Sequence, residues 1–285
     1  MGKDLYLKYA NDNKTTTVKY GENEVPYISF DILEKTGLVL NGFSTREGGV
    51  SKEHLSTMNL GFSRGDLESN VLKNHKIISE AIGFDYKNIV TTNQTHTTNV
   101  RIVTEKDKGK GIITPRDYSD VDGLITNVRN LPLATYYADC VPLYFLDTKN
   151  KVIGLSHSGW KGTVNKIALV TVNLMKENFG TDSKDIIACI GPSICQSCYE
   201  ISDDVAKEFM VEFKGHEKEI LIDKGNGKYQ LDLWKANVLN FVESGIELSN
   251  IAVTDICTCC NKDILFSHRG LKGMRGNLAA FLMLK

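Results

Sequence analysis

The sequence predicts a mixed α/β (α+β) fold built as one domain. Strand-like apolar runs alternate with amphipathic helical patterns, a polar turn joins two of those runs as a hairpin, and no Pro/Ser-rich linker or charge block divides the chain. Val141 to Leu146 and Lys151 to Leu155 read as buried strands, with Asp147-Thr148-Lys149-Asn150 as the turn between them. Such a hairpin does not fit the strict βαβ alternation of a doubly wound sheet.

The elements follow in chain order. The opening segment, up to Lys35, reads as short strands and polar turns. Leu38 to Phe43 is an expected strand feeding the loop Ser44-Thr45-Arg46-Glu47-Gly48-Gly49-Val50-Ser51. A helix is expected from Asp66 as N-cap to Gly83, with Val71, His75, Ile78 and Ile82 on one face. Leu131 to Tyr137 leads as a strand into the hairpin. Next come a helix from Thr163 to Phe179, stopped by Gly180, and a strand from Ile186 to Ile190. A helix from Ser202 has Val205, Phe209 and Phe213 as its stripe; another runs from Asp232 to Gly245, before a strand from Ile251 to Thr254.

Composition narrows the function. The chain has 285 residues, 41% of them apolar, which suffices for a sizeable core. Its 34 basic and 35 acidic residues leave a net charge of −1 with no basic stripe, so nucleic acid is not an expected partner. Met1-Gly2-Lys3-Asp4-Leu5 carries no apolar run like that of a signal peptide, and no stretch approaches membrane-spanning length. Seven cysteines without a secretion signal point to a reducing compartment. The expectation is a cytoplasmic protein with no membrane partner, a monomer or small homo-oligomer.

Three segments concentrate chemistry: Asn93-Gln94-Thr95-His96, Ala138-Asp139-Cys140-Val141-Pro142 and Ser156-His157-Ser158-Gly159-Trp160-Lys161-Gly162. A turn centred between Thr148 and Lys149 sets Cys140 opposite His157, with Cβ atoms about 4.5–5.5 Å apart. Two such groups at one buried place need a shared partner. With His96 from a separate segment they would make a three-ligand zinc site with an open fourth position, the arrangement of a catalytic zinc. Copper competes for the same nitrogen and sulfur ligands. The pair also suits a thiolate nucleophile activated by histidine, with Asp139 or Gln94 as orienter. The residues alone leave both readings open.

Elsewhere the signals are weaker. Arg46 on the Gly48-Gly49 loop suits a phosphate or carboxylate, and equally suits a solvated surface loop. Ser158 to Thr163 precedes a helix, whose free N–H groups favour anions. Trp160 either stacks on a planar ring or anchors the core. Cys195-x-x-Cys198 and Cys257-Thr258-Cys259-Cys260 hint at a thiolate site, but without the spacing of a zinc ribbon they are expected to be ordinary core or near-surface thiols. No GxGxxG at a helix start, Walker loop, zinc-deaminase signature or G-x-S-x-G elbow occurs.

These motifs make the chain resemble the YfiH-like family, known both as polyphenol oxidases with a laccase domain and as purine nucleoside phosphorylases. The blocks that carry the resemblance are FSTREGGVS, MNLGFSRGD, NQTHTTNV, DGLITN, ADCVPLYFLD, SHSGWKGT, IGPSICQSCYEI, LDLWKANVL and CTCCNKDILFSHRG, in that order from Phe43 to Gly270. The resemblance implies zinc ligands at His96, Cys140 and His157. It also implies a single α/β-sandwich domain, residues 1–285, with mixed β-sheets and flanking helices. The implied activity is phosphorolysis of adenosine, inosine and methylthioadenosine with some adenosine deamination, so the partners are a nucleoside and phosphate. For such chemistry the residues themselves offer candidates: Asp139 or a nearby carboxylate to shuttle the proton in deamination, and Arg46, Gly48-Gly49 and the helix start near Thr163 to receive the phosphate.

The chain departs from the family pattern in four places. Asn41 replaces a usual His, and Gln94-Thr95-His96-Thr97 replaces Q-V-H-G. His268-Arg269-Gly270 replaces Arg-Arg-Asp, and Gly276-Asn277-Leu278 replaces Gly-Arg-Met, which changes the family's arginine contacts near the C-terminus. Six dispersed histidines, His54, His75, His96, His157, His216 and His268, are too few for a laccase's blue-copper centre and trinuclear cluster. A copper-binding polyphenol oxidase, a Cys-His hydrolase and a non-enzymatic metal-binding protein are the alternatives to the nucleoside enzyme.

Overall fold

Burial on both faces of the central hairpin sets the architecture. Every residue of Val141–Asp147 and of Val152–Ser158 is buried, so both faces must be covered. Leu143 and Phe145 enter a core shared with helices Ile167–Phe179, Asp203–Glu212 and Leu233–Glu243. Tyr144 and Leu146, on the opposite face, enter a core shared with a second sheet. On that sheet's outer face, Ala279 and Phe281 pack with Ile78 and Ile82 of helix Glu68–Ile82. The computed structural model describes residues 5–11 and 13–285. The opening residues read for a leader, Met1 to Asp4, lie outside the described residues.

The hairpin sheet runs in the spatial order Ile251–Val253, Ile186–Ile190, Val141–Asp147, Val152–Ser158, Gly123–Thr126 and Val100–Ile102. The facing sheet runs Thr16–Tyr20, Pro26–Phe30, Val39–Ser44, Leu278–Leu284, Leu133–Tyr137 and Val90–Thr91. Both mix parallel and antiparallel pairs. A third, three-stranded antiparallel sheet consists of Glu200–Ser202, Lys228–Leu231 and Leu221–Gly225. The expected α/β sandwich with flanking helices is the observed fold. Hydrogen bonds also tie its sheets: the Tyr144 hydroxyl donates to the Gly42 carbonyl and the Tyr137 hydroxyl to the Ser156 carbonyl, both at 3.1 Å. Leaving either buried hydroxyl unpartnered would cost about 1–3 kcal/mol.

Three expectations need correction. The hairpin pairs Pro142 with His157 and Val141 with Ser158, so Cys140 does not oppose His157. The loop has the expected four residues but sits one position later, over 148–151: Asp147 Oδ1 accepts from the Lys149 and Asn150 N–H groups, and Lys151 adopts a left-handed φ of 57°. The shift is two residues, which preserves the side-chain alternation and keeps Cys140 and His157 on one face as diagonal neighbours. The helix expected over 163–179 is two helices, Trp160–Val164 and Ile167–Phe179, broken at Lys166 with φ 56°. There the Lys166 ammonium is held by Glu212 and Glu243. Finally, Leu278–Leu284 forms an interior strand that sequence reading did not assign. Its unbroken apolar run fits a buried helix as well as a strand.

Candidate metal-centred active site

One carboxylate organises two segments of the site. Gly123 pairs with Ser156, which brings Asp122 beside His157. The His157 N–H donates to the Asp122 carbonyl at 2.7 Å, and His157 Nδ1 lies 2.7 Å from Asp122 Oδ1. The same carboxylate accepts the N–H groups of Thr95, His96 and Thr97. Those bonds fold the Asn93–Asn99 loop so that His96, at a left-handed φ of 66°, points back toward the hairpin. Burial works against the Asp122 charge, but His157 and the loop N–H groups outweigh it and hold the carboxyl below its usual range.

His96, Cys140 and His157 thereby converge. Their ligand atoms lie within 4.8 Å of one another, with His96 Nε2 3.9 Å from Cys140 Sγ. The two imidazoles meet edge to face at 4.9 Å. Gly159 is needed here because a Cβ would come 2.9 Å from His96 Cδ2 and 3.3 Å from Cys140 Sγ. Burial opposes a Cys140 thiolate, yet His157 and then His96 bring the thiol down to about 6. The reciprocal effect, against burial, lifts His157 to about 9 through Cys140 and Asp122. The donor set fits a metal: two imidazoles and an acidified thiol, with His157 Nδ1 engaged by a carboxylate and Nε2 left as the ligand.

The cluster opens on a cavity of about 340 Å³. Arg64, Arg116 and Arg275 line it, with Phe62, Tyr136 and Asn277. Arg116 is held by Thr91 Oγ1 and the Thr92 carbonyl, both at 2.9 Å. The Nε atoms of Arg64 and Arg275 are buried with no hydrogen-bond partner. Burial, and then the Arg64 charge, pull the Arg275 guanidinium down to about 10. An anion between the two would relieve both penalties.

Except for Gln94, the other expected site residues lie outside this cavity. Arg46 spends its guanidinium on the Ser56 and Lys262 carbonyls and on the face of Phe266. Gly48 and Gly49 belong to that packing; a Cβ on Gly49 would sit 2.2 Å from the Thr57 carbonyl oxygen. The expected anion loop is therefore a structural corner. Thr163 lies inside a five-residue helix, where its N–H donates to the Gly159 carbonyl. Trp160 packs against the helix-side core. Asp139 precedes Cys140, but Thr258 Oγ1 at 2.6 Å and the Arg269 N–H at 2.7 Å occupy its two carboxylate oxygens. Gln94 lines the cavity, but its amide is already engaged, pinning the loop to the Tyr136 backbone.

Sequence reading missed Asp122 and the three cavity arginines. Asp122 opens the block DGLITN and Arg64 lies in MNLGFSRGD, but nothing local distinguishes them from surface charges. The expectation of ordinary core or near-surface thiols also needs correction: Cys195, Cys198, Cys257 and Cys260 have their sulfur atoms within 4.8 Å of one another.

Comparison with known proteins adds an independent line. Residues 40–285 match the family described as multi-copper polyphenol oxidoreductase laccase. The purine nucleoside phosphorylase YlmD of Bacillus subtilis is 35% identical over 252 residues, covering 87% of this chain and 89% of that protein. A purine nucleoside phosphorylase of Staphylococcus saprophyticus is 37% identical over 242 residues, with 85% and 90% covered. Among solved structures, the YfiH protein of Bacillus licheniformis superposes with a TM-score of 0.86 at 32% identity, covering 91% of this chain and 96% of that one. YlmD of Geobacillus stearothermophilus gives 0.85 at 30% identity, with 94% and 100% covered.

Proposed function

The chain belongs to the multi-copper polyphenol oxidoreductase laccase family, the YfiH-like proteins, and from that premise we propose that it is a metal-dependent purine nucleoside phosphorylase. The observation that carries the reading is one cavity holding a three-ligand cluster, three arginines and three Phe or Tyr rings. Adenosine, inosine and methylthioadenosine are the proposed substrates, with adenosine deamination as a side activity.

In this reading Arg64, Arg116 and Arg275 bind the phosphate. Their fixed positive charges orient one phosphate oxygen toward C1′ of the ribose and remove the cost of bringing a dianion out of water. Phe62 and Tyr136 face the purine. Attack at C1′ by hydrogen phosphate breaks the bond to N9, the bond electrons pass to the purine, and the proton the phosphate gives up reaches the base through solvent, so the products are the free purine and ribose 1-phosphate. His96, Cys140 and His157 would hold zinc, which when bound supplies a Lewis acid for a substrate oxygen or an acidified water for deamination. Asp122 fixes the tautomer and direction of His157. Asp139 holds the loop that presents Cys140.

Copper is the second reading, favoured by the thiolate–imidazole donors and the family's description. Only His96 and His157 of the six histidines join a metal-like cluster among the described residues, which leaves no multi-copper centre there. Incubating metal-loaded protein with adenosine, with and without phosphate, and identifying products by mass spectrometry tests the main reading. Phosphate-dependent adenine and ribose 1-phosphate support it. Oxidised phenols from a copper-loaded sample, with no adenine from any sample, replace it with the second.

A further inference from the structure

A second group of soft ligands lies away from the catalytic cavity. Strands Ile186–Ile190 and Ile251–Val253 pair in parallel, so the segments following them leave the sheet at the same end. Those segments stay joined: Ser193 bridges Cys257, the Ser193 N–H donates to the Ile256 carbonyl, and the Thr258 N–H donates to the Ser193 carbonyl. Each then carries a Cys-x-x-Cys pair, Cys195 with Cys198 and Cys257 with Cys260. The pairs are far apart in sequence and meet only because the strands are neighbours.

Their geometry suits one ion. All four sulfur atoms lie within 4.8 Å of one another, with Cys198 and Cys260 at 3.5 Å. Zinc–sulfur bonds of about 2.3 Å in a tetrahedron put the sulfurs roughly 3.8 Å apart. All seven cysteines are free thiols, and a disulfide would bring together only two of these four. Cys257 Sγ already accepts the N–H groups of Cys195 at 3.3 Å and Cys260 at 3.4 Å, so backbone donors from both segments converge on one sulfur. Four protein sulfurs also close the coordination shell, leaving no position for water or substrate.

We propose that Cys195, Cys198, Cys257 and Cys260 bind a structural zinc ion, separate from the site of His96, Cys140 and His157. Binding displaces the thiol protons to solvent and leaves four thiolates on the metal. The ion clamps two loops that both grip Asp139: Ile194 donates its N–H to the Asp139 carbonyl, and Thr258 donates its hydroxyl to the Asp139 carboxylate. The residue after Asp139 is Cys140, so the clamp fixes one wall of the catalytic cavity. The proposal does not rest on the nucleoside reading.

Metal counting on the full chain tests it. Protein purified under reducing conditions and loaded with zinc should hold about two ions per chain by native mass spectrometry and elemental analysis. His157→Ala should retain one, and Cys198→Ser/Cys260→Ser should retain the other. If the double cysteine variant does not fold, a thiol-reactive mercurial added to His157→Ala should release its remaining zinc in step with four modified cysteines. Overturning results are a His157→Ala protein that holds no zinc after loading, or a loaded wild type lighter by two hydrogens with a Cys198–Cys260 disulfide in its peptide map.

Discussion

The two ligand clusters differ in what surrounds them more than in the softness of their donors. Around His96, Cys140 and His157 the supports are a buried carboxylate and a folded loop, and one side opens on a cavity lined by arginines. Around the four cysteines the supports are backbone N–H groups and paired strands, and the sulfurs close on one another. Three donors with an adjacent cavity can offer substrate a position; four donors without one can only hold chains together. In the proposed reading, chemistry and stability thus separate by ligand count and by access.

The sharpest way to break this contrast is to remove a ligand from the open cluster. His157→Ala should lower kcat/KM for phosphorolysis by at least about a thousandfold, in line with losing several kcal/mol of charge stabilisation, while leaving the fold intact by circular dichroism. Retained activity would take the metal out of the reaction. Next comes the support beneath the cluster. Asp122→Asn keeps the side-chain shape but drops the charge, and should weaken metal binding at this site by about 10–100-fold in a chelator competition; unchanged affinity would leave Asp122 with only a folding role.

Arginines divide the cavity from the scaffold. Arg275→Ala should raise the KM for phosphate about tenfold or more, from the loss of a charge-assisted contact of roughly 1.5–3 kcal/mol, with metal content unchanged. Arg46→Ala should lower Tm and leave that KM alone, because its partners are backbone carbonyls and the Phe266 ring. A reversed pattern would return the anion site to the Arg46 loop. The smallest effect lies outside both clusters. Complete burial, against the Leu60 contact, depresses His75 from 6.5 to about 4. The unfolded chain then takes up the proton first, so stability falls as pH drops below 6.5 and levels off below 4. Between pH 7 and 5.5 the loss should be about 1 kcal/mol, read from urea unfolding and flattened in His75→Gln.

How far the sequence announced all this depended on range. Cys140 and His157 were legible because a hairpin is a local object; even with its register misjudged by two residues, alternation kept them on one face. Helices Glu68–Ile82 and Leu233–Glu243 followed their apolar spacing and their stop signals at Gly83 and Gly245. Asp122, Arg64 and Arg275 were not legible as a site, since their meaning comes from distant partners: Asp122 from the His96 loop, Arg275 from the neighbouring Arg64. The cysteine cluster failed for the same reason, being assembled by a parallel strand pair. Arg46 misled because a glycine-flanked arginine looks alike in an anion loop and in a packed corner.

The most direct test titrates zinc into metal-free, reduced protein while following adenine release from adenosine and phosphate, with His157→Ala titrated in parallel. The account predicts that phosphorolysis in the wild type rises only as the His96–Cys140–His157 site fills, and that the variant stays inactive although its cysteine cluster takes up metal. Full activity in the metal-free wild type, or activity in the variant that tracks cysteine-site loading, would contradict it.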